Sequence, residues 1–379
     1  MVSGGTPLRS KPEYYENGVI PWLKTGDIKK NFIYEVDEYI TQTGLENSSA
    51  KLIPQNSVIV AMYGDGNTAG NVAVNKIQLT TNQACCNLIV DTQKAHYLYV
   101  FYYLKGSYNN LVGLKLGGSQ QNLNARTIKN FPIRLPPLET QKKIAAVLSA
   151  YDDLIENNKR QIALLENMAE EIYREWFVRF RFPGWQRTQF EKGIPKNWKI
   201  KKLNQLIELL YGKALKLEDR KGGEYPVYGS SGIVGFHDQA IVNKPGLIVG
   251  RKGNVGSIFL SDKPFYPIDT VYHVRSSLSN YYLFYLLKSM NFINNDAAVP
   301  GLNRNQAYSN NVLEPELSLI EKFVSLVTPI FEQKKQLQIL MANLERQKQS
   351  LLPRLISGKL SVEELDIAFP PSMQETVEK

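Results

Sequence analysis

The sequence has very few of the residues that build covalent frameworks or metal sites, and no long apolar runs. Its 379 residues include only two cysteines, Cys85 and Cys86. Adjacent cysteines provide neither a disulfide framework nor the spacing of a metal site. The apolar runs, such as 57–62 and 97–104, are far shorter than the roughly 18 residues of a membrane span. Residues 1–15 lack the apolar core of a signal peptide. We therefore expect a protein of the prokaryotic cytoplasm with no membrane partner.

Signatures of catalysis are also missing. The three histidines, His96, His237 and His273, do not lie in a pattern of metal ligands. Segment 64–70 comes close to a dinucleotide-binding fingerprint but has one residue too many. Acidic residues are scattered through the irregular segments and suggest no paired-carboxylate metal site. The sequence therefore predicts a non-catalytic chain that binds no metal and no cofactor of its own.

Positive charge is in excess and unevenly placed. The formal net charge is +9, and most of it falls on two long irregular segments, 1–138 and 178–316, whereas the tail after residue 362 is acidic. Clustered lysine and arginine favour a surface that binds phosphate groups. The alternative is charge that serves only solubility.

The chain contains an internal repeat. The sequence Tyr-Val-Phe-Tyr-Tyr-Leu-Lys at 99–105 returns as Tyr-Leu-Phe-Tyr-Leu-Leu-Lys at 282–288. Segment 57–60 resembles 246–249, and Leu-Asn at 123–124 returns at 302–303. These matches keep the same order along the chain, which indicates two halves of similar architecture.

Each half has the same predicted organisation. Short runs of strand-like composition, broken by Gly, Asn, Asp and Pro, are followed by one amphipathic helix. A proline-bearing linker then leads into a helix of about 40 residues, or roughly 60 Å. We expect five segments: a globular segment at 1–137, a long helix at 138–180, a second globular segment at 181–316, a second long helix at 317–362, and an acidic tail at 363–379.

The two long helices carry heptad rows of apolar residues, which are typical of helix-on-helix pairing. The alternative is two surface helices on separate sheets, but such helices are usually only about 8–20 residues long. Polar residues also fall on the seam, namely Asn158, Lys334, Gln347 and Lys348, and mark either a docking site for a partner or snorkelling side chains. The predicted coiled-coil and partner-docking residues are Ile155, Ile162, Leu165, Ile172, Leu337, Leu344, Leu351 and Leu355.

The sequence thus predicts an α/β (α+β) fold. Two similar globular units are separated by the two long helices, which form an antiparallel coiled coil with pseudo-twofold symmetry. The head-to-tail order of the two halves favours the antiparallel arrangement.

Loops of both globular segments are rich in side chains that bind nucleic acids. Asn and Gln pair with adenine and Arg with guanine in the major groove, whereas Lys and Ser suit phosphates. Each loop alone could be a solvated turn, but similar loops recur at matching places in two basic segments. The predicted DNA-binding residues are Ser3, Thr6, Lys24, Thr25, Lys29, Lys30, Tyr63, Asn67, Gln120, Gln121 and Asn122 in the first half, and Lys213, Tyr228, Ser230, Ser231, Arg251, Lys252, Asn254, Asn303 and Arg304 in the second.

Several motifs resemble those of the specificity subunits of type I restriction–modification systems, and the similarity extends over nearly the whole chain. The motifs are Ser-Gly-Gly-Thr-Pro at 3–7, Gly-Val-Ile-Pro-Trp at 18–22 with Gly-Asp-Ile at 26–28, Leu-Pro-Pro-Leu-Glu-Thr-Gln at 135–141, Ile-Tyr-Arg-Glu-Trp-Phe at 172–177, Ile-Pro-x-x-Trp at 194–198, and Leu-Leu-Pro-Arg-Leu-Ile-Ser-Gly-Lys-Leu at 351–360.

The resemblance implies that 1–137 and 181–316 are target-recognition domains, each reading one half of a split DNA site, and that the coiled coil sets the spacer. It also implies that two methyltransferase (modification) subunits dock on the coil and that restriction subunits join them. S-adenosylmethionine, ATP and Mg would be bound by those partners. The alternative is a standalone coiled-coil scaffold or regulatory protein that binds DNA without restriction partners.

Two features depart from a perfect repeat. The second half begins with residues 195–211, for which the first half has no counterpart. Either an opening strand is missing from the first unit, or the segment after Gly358 completes it, as the family's circular arrangement implies. Gln141, in the linker before the first long helix, is replaced by Ile320 in the second half, so we expect the two linkers to pack differently.

Overall fold

The computed structural model describes residues 1–64, 68–114, 122–290, 292 and 301–374. The chain divides into two compact units. The first unit consists of Met1–Asn158 and Ile339–Lys379, and the second of Lys159–Gln338. Each unit therefore combines one globular segment with part of both long helices.

The first unit is built on two small sheets. A five-stranded sheet has the order β1-β8-β5-β6-β3, and a three-stranded sheet has the order β4-β2-β7. The strands are β1 (Val2–Ser3), β2 (Ile20–Leu23), β3 (Phe32–Ile33), β4 (Tyr39–Ile40), β5 (Val58–Ala61), β6 (Val72–Asn75), β7 (Thr80–Thr81) and β8 (Cys85–Leu88). The helices of the globular part are α1 (Gln42–Glu46), α2 (Tyr97–Gly106), α3 (Tyr108–Val112) and α4 (Ala125–Lys129).

Both faces of the larger sheet are covered, which explains the uninterrupted apolar run of its central strand. Val58 and Val60 pack in one apolar cluster with Phe101 of α2, while Ile59 and Ala61 pack in another on the opposite face. Successive side chains of a strand point to opposite faces, so a strand buried on both sides needs apolar residues at every position.

The second unit contains the remaining strands. They are β9 (Phe190–Glu191), β10 (Ile194–Pro195), β11 (Lys199–Lys202), β12 (Glu208–Tyr211), β13 (Tyr225–Gly229), β14 (Gly232–His237), β15 (Gly246–Gly250), β16 (Ile258–Ser261), β17 (Tyr266–Pro267), β18 (Val271–Arg275) and β19 (Asn311–Glu314). Between the last two lie α6 (Asn280–Ser289) and α7 (Arg304–Ser309). The sheets have the orders β12-β18-β15-β16, β14-β13-β17, β11-β19 and β10-β9.

The strand order confirms the prediction of two similar globular units. The order β12-β18-β15-β16 in the second unit repeats β1-β8-β5-β6 in the first. The three-stranded sheets also correspond, since the central strand of each has one antiparallel and one parallel neighbour. The mixed helix-and-strand fold and the two long helices likewise agree with the sequence prediction.

The two long helices are α5 (Leu138–Tyr173) and α8 (Leu317–Ile356), and a π-helical turn, Arg174–Val178, follows α5. Within the second unit, Glu166 pairs with Lys334, and Tyr173, farther along α5, lies against Phe323, earlier in α8. The helices are therefore antiparallel there. Of the predicted seam residues, Ile155, Leu344 and Leu355 are buried, and Ile162, Leu165, Ile172, Leu337 and Leu351 are half-buried.

One of the polar seam residues forms a buried ion pair inside the first unit. The Lys348 Nζ lies 2.5 Å from Oδ2 of Asp152. The Tyr102 hydroxyl donates to the same carboxylate oxygen at 2.6 Å, and the Asn31 amide donates to Oδ1 at 3.2 Å. Three elements of the first unit, α2, α5 and α8, thus meet at one carboxylate.

The segment after α8 packs on the first unit, as the circular arrangement implies. Val362 is buried in the same apolar cluster as Leu355 and Ile144. The Lys143 ammonium donates to the Glu363 carbonyl at 2.6 Å. In the second unit, Trp198 joins the main apolar cluster and the following strand, β11, pairs with β19.

The linkers before the two long helices pack differently. Gln141 is buried: its amide donates to the Pro136 carbonyl at 2.8 Å, and its Oε1 accepts from the His96 backbone N–H at 3.0 Å. Its counterpart, Ile320, lies in the apolar cluster of the second unit. The first linker is therefore held by hydrogen bonds and the second by apolar packing.

Candidate nucleic-acid interface

An open cavity of about 320 Å³ in the second unit brings together four of the predicted DNA-binding residues. Its walls come from the end of β12, the turn after β15, β18, and the segment that leads into α7. The lining residues are Tyr211, Arg251, Lys252, Tyr272, Gly301, Leu302, Asn303, Arg304 and Asn305.

Backbone hydrogen bonds fix the position of Arg251, which directly follows strand β15. Its N–H donates to the Thr270 carbonyl at 2.9 Å, and its carbonyl accepts from the Leu302 N–H at 2.7 Å. Gly250, the residue before it, has no room for a side chain because a Cβ would collide with the Asn254 carbonyl oxygen. The arginine therefore projects from a rigid framework, which lowers the entropy that binding would cost.

Both arginines of the cavity stack near one tyrosine. The guanidinium carbons of Arg251 and Arg304 lie 5.2 and 5.1 Å from the centre of the Tyr211 ring. Arg251 is also 5.9 Å from the ring centre of Tyr272. Cation–π contacts of this kind use the face of a guanidinium and leave its N–H edge available to a ligand. Among the described residues, no ion pair neutralises Arg251, Lys252 or Arg304.

Tyr272 and Asn303 hold the cavity wall together. The Tyr272 hydroxyl donates to the Leu302 carbonyl at 3.0 Å, and burial raises the pKa of Tyr272 to about 12, so the ring remains uncharged. The Asn303 side-chain oxygen caps α7 by accepting from the N–H groups of Asn305 and Gln306. This cap uses the acceptor of Asn303 and leaves its NH₂ group as the free polar function.

The other predicted residues of the second unit differ in accessibility. Ser230 is half-buried, and Lys213, Ser231 and Asn254 are exposed. Tyr228 packs in an apolar cluster with Ile248 and Phe265, and burial raises its pKa. The tyrosine ring thus belongs to the core rather than to the surface, although its sequence context, Tyr-Gly-Ser-Ser, is that of a loop.

The first unit has the same framework at this place but different side chains. The Leu123 N–H donates to the Met62 carbonyl at 2.9 Å, the counterpart of the bond between Leu302 and Arg251. Met62 and Tyr63 thus stand where the second unit has Arg251 and Lys252. Asn124 caps α4 as Asn303 caps α7, and Ala125 follows it in place of Arg304. The predicted contacts Asn67, Gln120 and Gln121 lie outside the described residues, whereas Asn122 is half-buried.

The Ser-Gly-Gly-Thr motif of the first unit is held by internal contacts. A Cβ at Gly4 would collide with the Asn82 carbonyl oxygen, and one at Gly5 with the backbone of Ser49 and Ala50. The Thr6 hydroxyl donates to the Gln83 side chain, and Ser3 is exposed on β1. These glycines therefore admit the protein's own backbone, not a ligand.

A second cationic group lies near β2. Glu38 accepts from Lys24 and, at 2.6 Å, from Arg9. Burial opposes ionisation of Glu38, but these two cations lower its pKa overall. Arg9 also lies over the rings of Tyr15 and Trp22, at 4.5 and 4.8 Å from the ring centres. Thr25 is half-buried in the turn that follows, and Lys29 and Lys30 are exposed at its end.

Arg9, Tyr211, Tyr272 and Asn305 were not predicted as site residues. Tyr211 and Asn305 lie in loops that the sequence does indicate, beside Lys213 and Arg304, whereas no local signal marks Arg9 or Tyr272. In the part of the chain that the structure describes, no group of three His, Cys, Asp or Glu side chains could hold a metal ion. No helix in those same ranges is both long and apolar enough to cross a membrane.

The chain is similar in sequence to proteins of one known family. The family model described as the type I restriction modification DNA specificity domain matches residues 2–167 and 195–313. The type I restriction enzyme MjaIX specificity subunit of Methanocaldococcus jannaschii is 28% identical over 402 residues, covering 96% of this chain and 92% of that protein. The EcoR124I/EcoR124II specificity subunit of Escherichia coli is 31% identical over 186 residues, covering 48% and 45% of the two chains.

A solved structure shares the fold. The type I restriction–modification S subunit from M. genitalium superposes with a TM-score of 0.58 at 18% identity, covering 93% of this chain and 92% of that one. Because the family model matches most of the chain, the chain belongs to the specificity subunits of type I restriction–modification systems, the DNA-recognition and non-catalytic components of these enzymes.

Proposed function

We propose that this chain reads a bipartite DNA target, one half-site per target-recognition domain (1–137 and 181–316), with a spacer whose length is set by the two long helices. Two modification subunits and then restriction subunits assemble on it in the cytoplasm. S-adenosylmethionine, ATP and Mg are bound by those partners, and this chain contributes recognition alone.

The main support for the proposal is that the same backbone arrangement occurs in both units and presents different side chains in each. The hydrogen bond from Leu123 to Met62 in the first unit has its counterpart from Leu302 to Arg251 in the second. The side chains at this shared position differ in charge, polarity and size. Two readers of different half-sites require conserved geometry with variable contacts, because base-edge patterns are distinguished by the donors and acceptors presented to them.

The helices favour a fixed spacer. Helix α5 has residues in both units, as does α8, and each is continuous from its first to its last residue. Apolar rows along an antiparallel pair resist bending and sliding, because either motion would expose the seam. A helix of about 40 residues is roughly 60 Å long, which corresponds to about one to two helical turns of DNA.

The outer faces of the helices favour recruitment of partners. Leu164 and Met168 are 62% and 54% exposed, and they lie one helical turn apart on α5. Leu326 of α8 is 47% exposed. Exposed apolar side chains that share a helix face are typical of surfaces that bind other proteins.

A matched deletion in both helices tests the proposal. Residues 162–168 of α5 and 332–338 of α8 face each other, as the ion pair between Glu166 and Lys334 indicates. Removing both heptads keeps the apolar rows in phase and shortens the coil by about 10 Å, or roughly three base pairs. In a host that expresses the variant with its modification subunits, sites with the original spacer should no longer be methylated. The methylated sites should have a shorter spacer, or methylation should be lost altogether.

The control is the wild-type chain expressed with the same modification subunits. It should give one bipartite motif with a single spacer length across the host genome. Methylation by the deletion variant at the wild-type motif and spacer, with wild-type efficiency, would exclude the coil as the element that sets the distance.

A further inference from the structure

We propose that the cavity bounded by Tyr211, Arg251, Lys252 and Arg304 binds a backbone phosphate of the DNA rather than a base edge, and that it gives the second unit a phosphate contact for which the described residues of the first unit have no equivalent. The cavity can take this role only if the chain reads duplex DNA, as proposed above.

The charge of the cavity favours an anionic ligand. Three cationic side chains line it, and both guanidinium groups lie close to the same Tyr211 ring. Cations gathered around one ring create a positive potential in the cavity, and a bound anion would lower its energy. The described residues that line the cavity include no carboxylate, so they supply no anion of their own.

The number of donors also favours a phosphate. One guanidinium satisfies both acceptors of a guanine edge, O6 and N7, and guanine brings no charge. Such a contact would leave the second arginine and the lysine without a partner. A phosphodiester carries a full negative charge and two oxygens that accept bidentate hydrogen bonds, so it can serve both arginines at once.

The rigidity of the cavity is suited to a contact that sets position. Arg251 is held by two backbone hydrogen bonds, and Arg304 begins a helix capped by Asn303. Phosphate contacts fix the register of a protein on the duplex and do not depend on sequence. The first unit has Met62, Tyr63 and Ala125 at the matching positions, so its hold on the duplex does not include this contact.

Phosphate neutralisation tests the assignment directly. The full chain is assembled with its modification subunits, and binding is measured to duplexes of the mapped target in which single phosphates are replaced by uncharged methylphosphonate. Wild-type affinity should fall at one or two phosphates in the half-site of the second unit. Arg304→Ala and Arg251→Ala should bind more weakly than wild type and should lose less affinity than wild type when those same phosphates are substituted.

The salt dependence of binding gives a second readout. Each phosphate contact contributes about 0.9 to the slope of log K against log salt. The affinity of a variant that has lost one contact should therefore depend less on salt. The ratio of wild-type to variant affinity should be about 3- to 4-fold smaller at 200 mM salt than at 50 mM salt. Arg304→Lys keeps the charge and should keep the slope. Lys216→Ala removes an exposed charge of the same unit, outside the cavity, and should leave the phosphate profile unchanged.

Two results would overturn the assignment. Relaxed selectivity at one base pair in both Arg304→Ala and Arg304→Lys, with an unchanged salt slope, would mean that the arginine reads a base. Wild-type binding by both alanine variants would place the cavity outside the DNA interface. Failure of the proposed function is distinct, because wild type itself would then not prefer the mapped target over a scrambled duplex.

Discussion

The ion pair between Asp152 and Lys348 should be the most consequential polar contact of the first unit. Its Nζ–O distance is 2.5 Å, and the two side chains are only 8% and 10% exposed. At an effective dielectric constant near 20, the gross attraction is about 7 kcal/mol. Removing two charges from water costs several kcal/mol per ion. The pair therefore contributes little net stability, but loss of one partner leaves the other charge buried alone.

Lys348→Met is the informative perturbation. Asp152 would keep its hydrogen bonds from Tyr102 and Asn31 but lose its counter-charge. We expect the free energy of unfolding of the first unit to fall by about 3–5 kcal/mol. Asp152→Asn leaves a buried ammonium instead and should cost a similar amount. The double variant should cost clearly less than the two single changes combined, because neither charge remains.

A second helix-to-helix ion pair provides the matched control. Glu166 and Lys334 of the second unit are also 2.5 Å apart, but their side chains are 52% and 25% exposed. Solvent screens such a pair, so Lys334→Met should cost less than about 1 kcal/mol. The two lysine substitutions change the same atoms and differ mainly in burial.

Hydrogen exchange is the appropriate assay because the two units can unfold separately, in which case one global midpoint is not well defined. The amides of α2, which carries Tyr102, report opening of the first unit. Protection there should fall in Lys348→Met and stay unchanged in Lys334→Met. Equal costs for the two variants, or a cost below about 1 kcal/mol for Lys348→Met, would refute the reasoning from burial.

Two further predictions concern the first unit. Burial, together with the nearby Lys142 and Lys76, lowers the pKa of His96 from 6.5 to about 4. The folded state disfavours the His96 proton, so the stability present above pH 6.5 should decline by about 3 kcal/mol as the pH falls to 4. Urea unfolding of His96→Gln should lack this decline. An equal or steeper loss of stability in the variant over the same pH range would mean that other groups cause the loss. Gly5→Ala should destabilise the folded first unit by about 1–3 kcal/mol, because the added Cβ would collide with backbone atoms. Gly26→Ala is the control: nothing lies within 4 Å of its Cβ, so its thermal midpoint should change little. Similar midpoints for the two variants would contradict the internal role of Gly5.

Local patterns in the sequence predict most of the architecture. The repeat at 99–105 and 282–288 corresponds to α2 and α6, and the heptad rows correspond to the seam between α5 and α8. Both signals depend on spacing within a short window, and the burial of a helix face imposes that spacing. The difference between Gln141 in the first half and Ile320 at the corresponding position in the second also predicts that the two linkers pack differently, because a buried amide needs hydrogen-bond partners and a buried isoleucine does not.

Other features depended on contacts between distant segments. Lys348 was recognised as polar on an apolar seam, but its partner, Asp152, lies on the other helix. The positions that correspond to this pair in the second unit are Phe331 and Ala169, which belong to an apolar and aromatic cluster. Sequence spacing alone cannot tell an ion pair from a docking surface, since the answer lies in which side chain faces it.

The sequence by itself determined the two similar halves, the two paired helices and the basic character of the loops, because periodicity and composition are properties of neighbouring residues. Only the tertiary structure decided that Tyr211, Arg251 and Arg304 converge while Tyr228 enters the core. The strand order β12-β18-β15 places the ends of β12 and β15 on either side of β18. That convergence follows from the pairing of distant strands, and no local window of the sequence contains it.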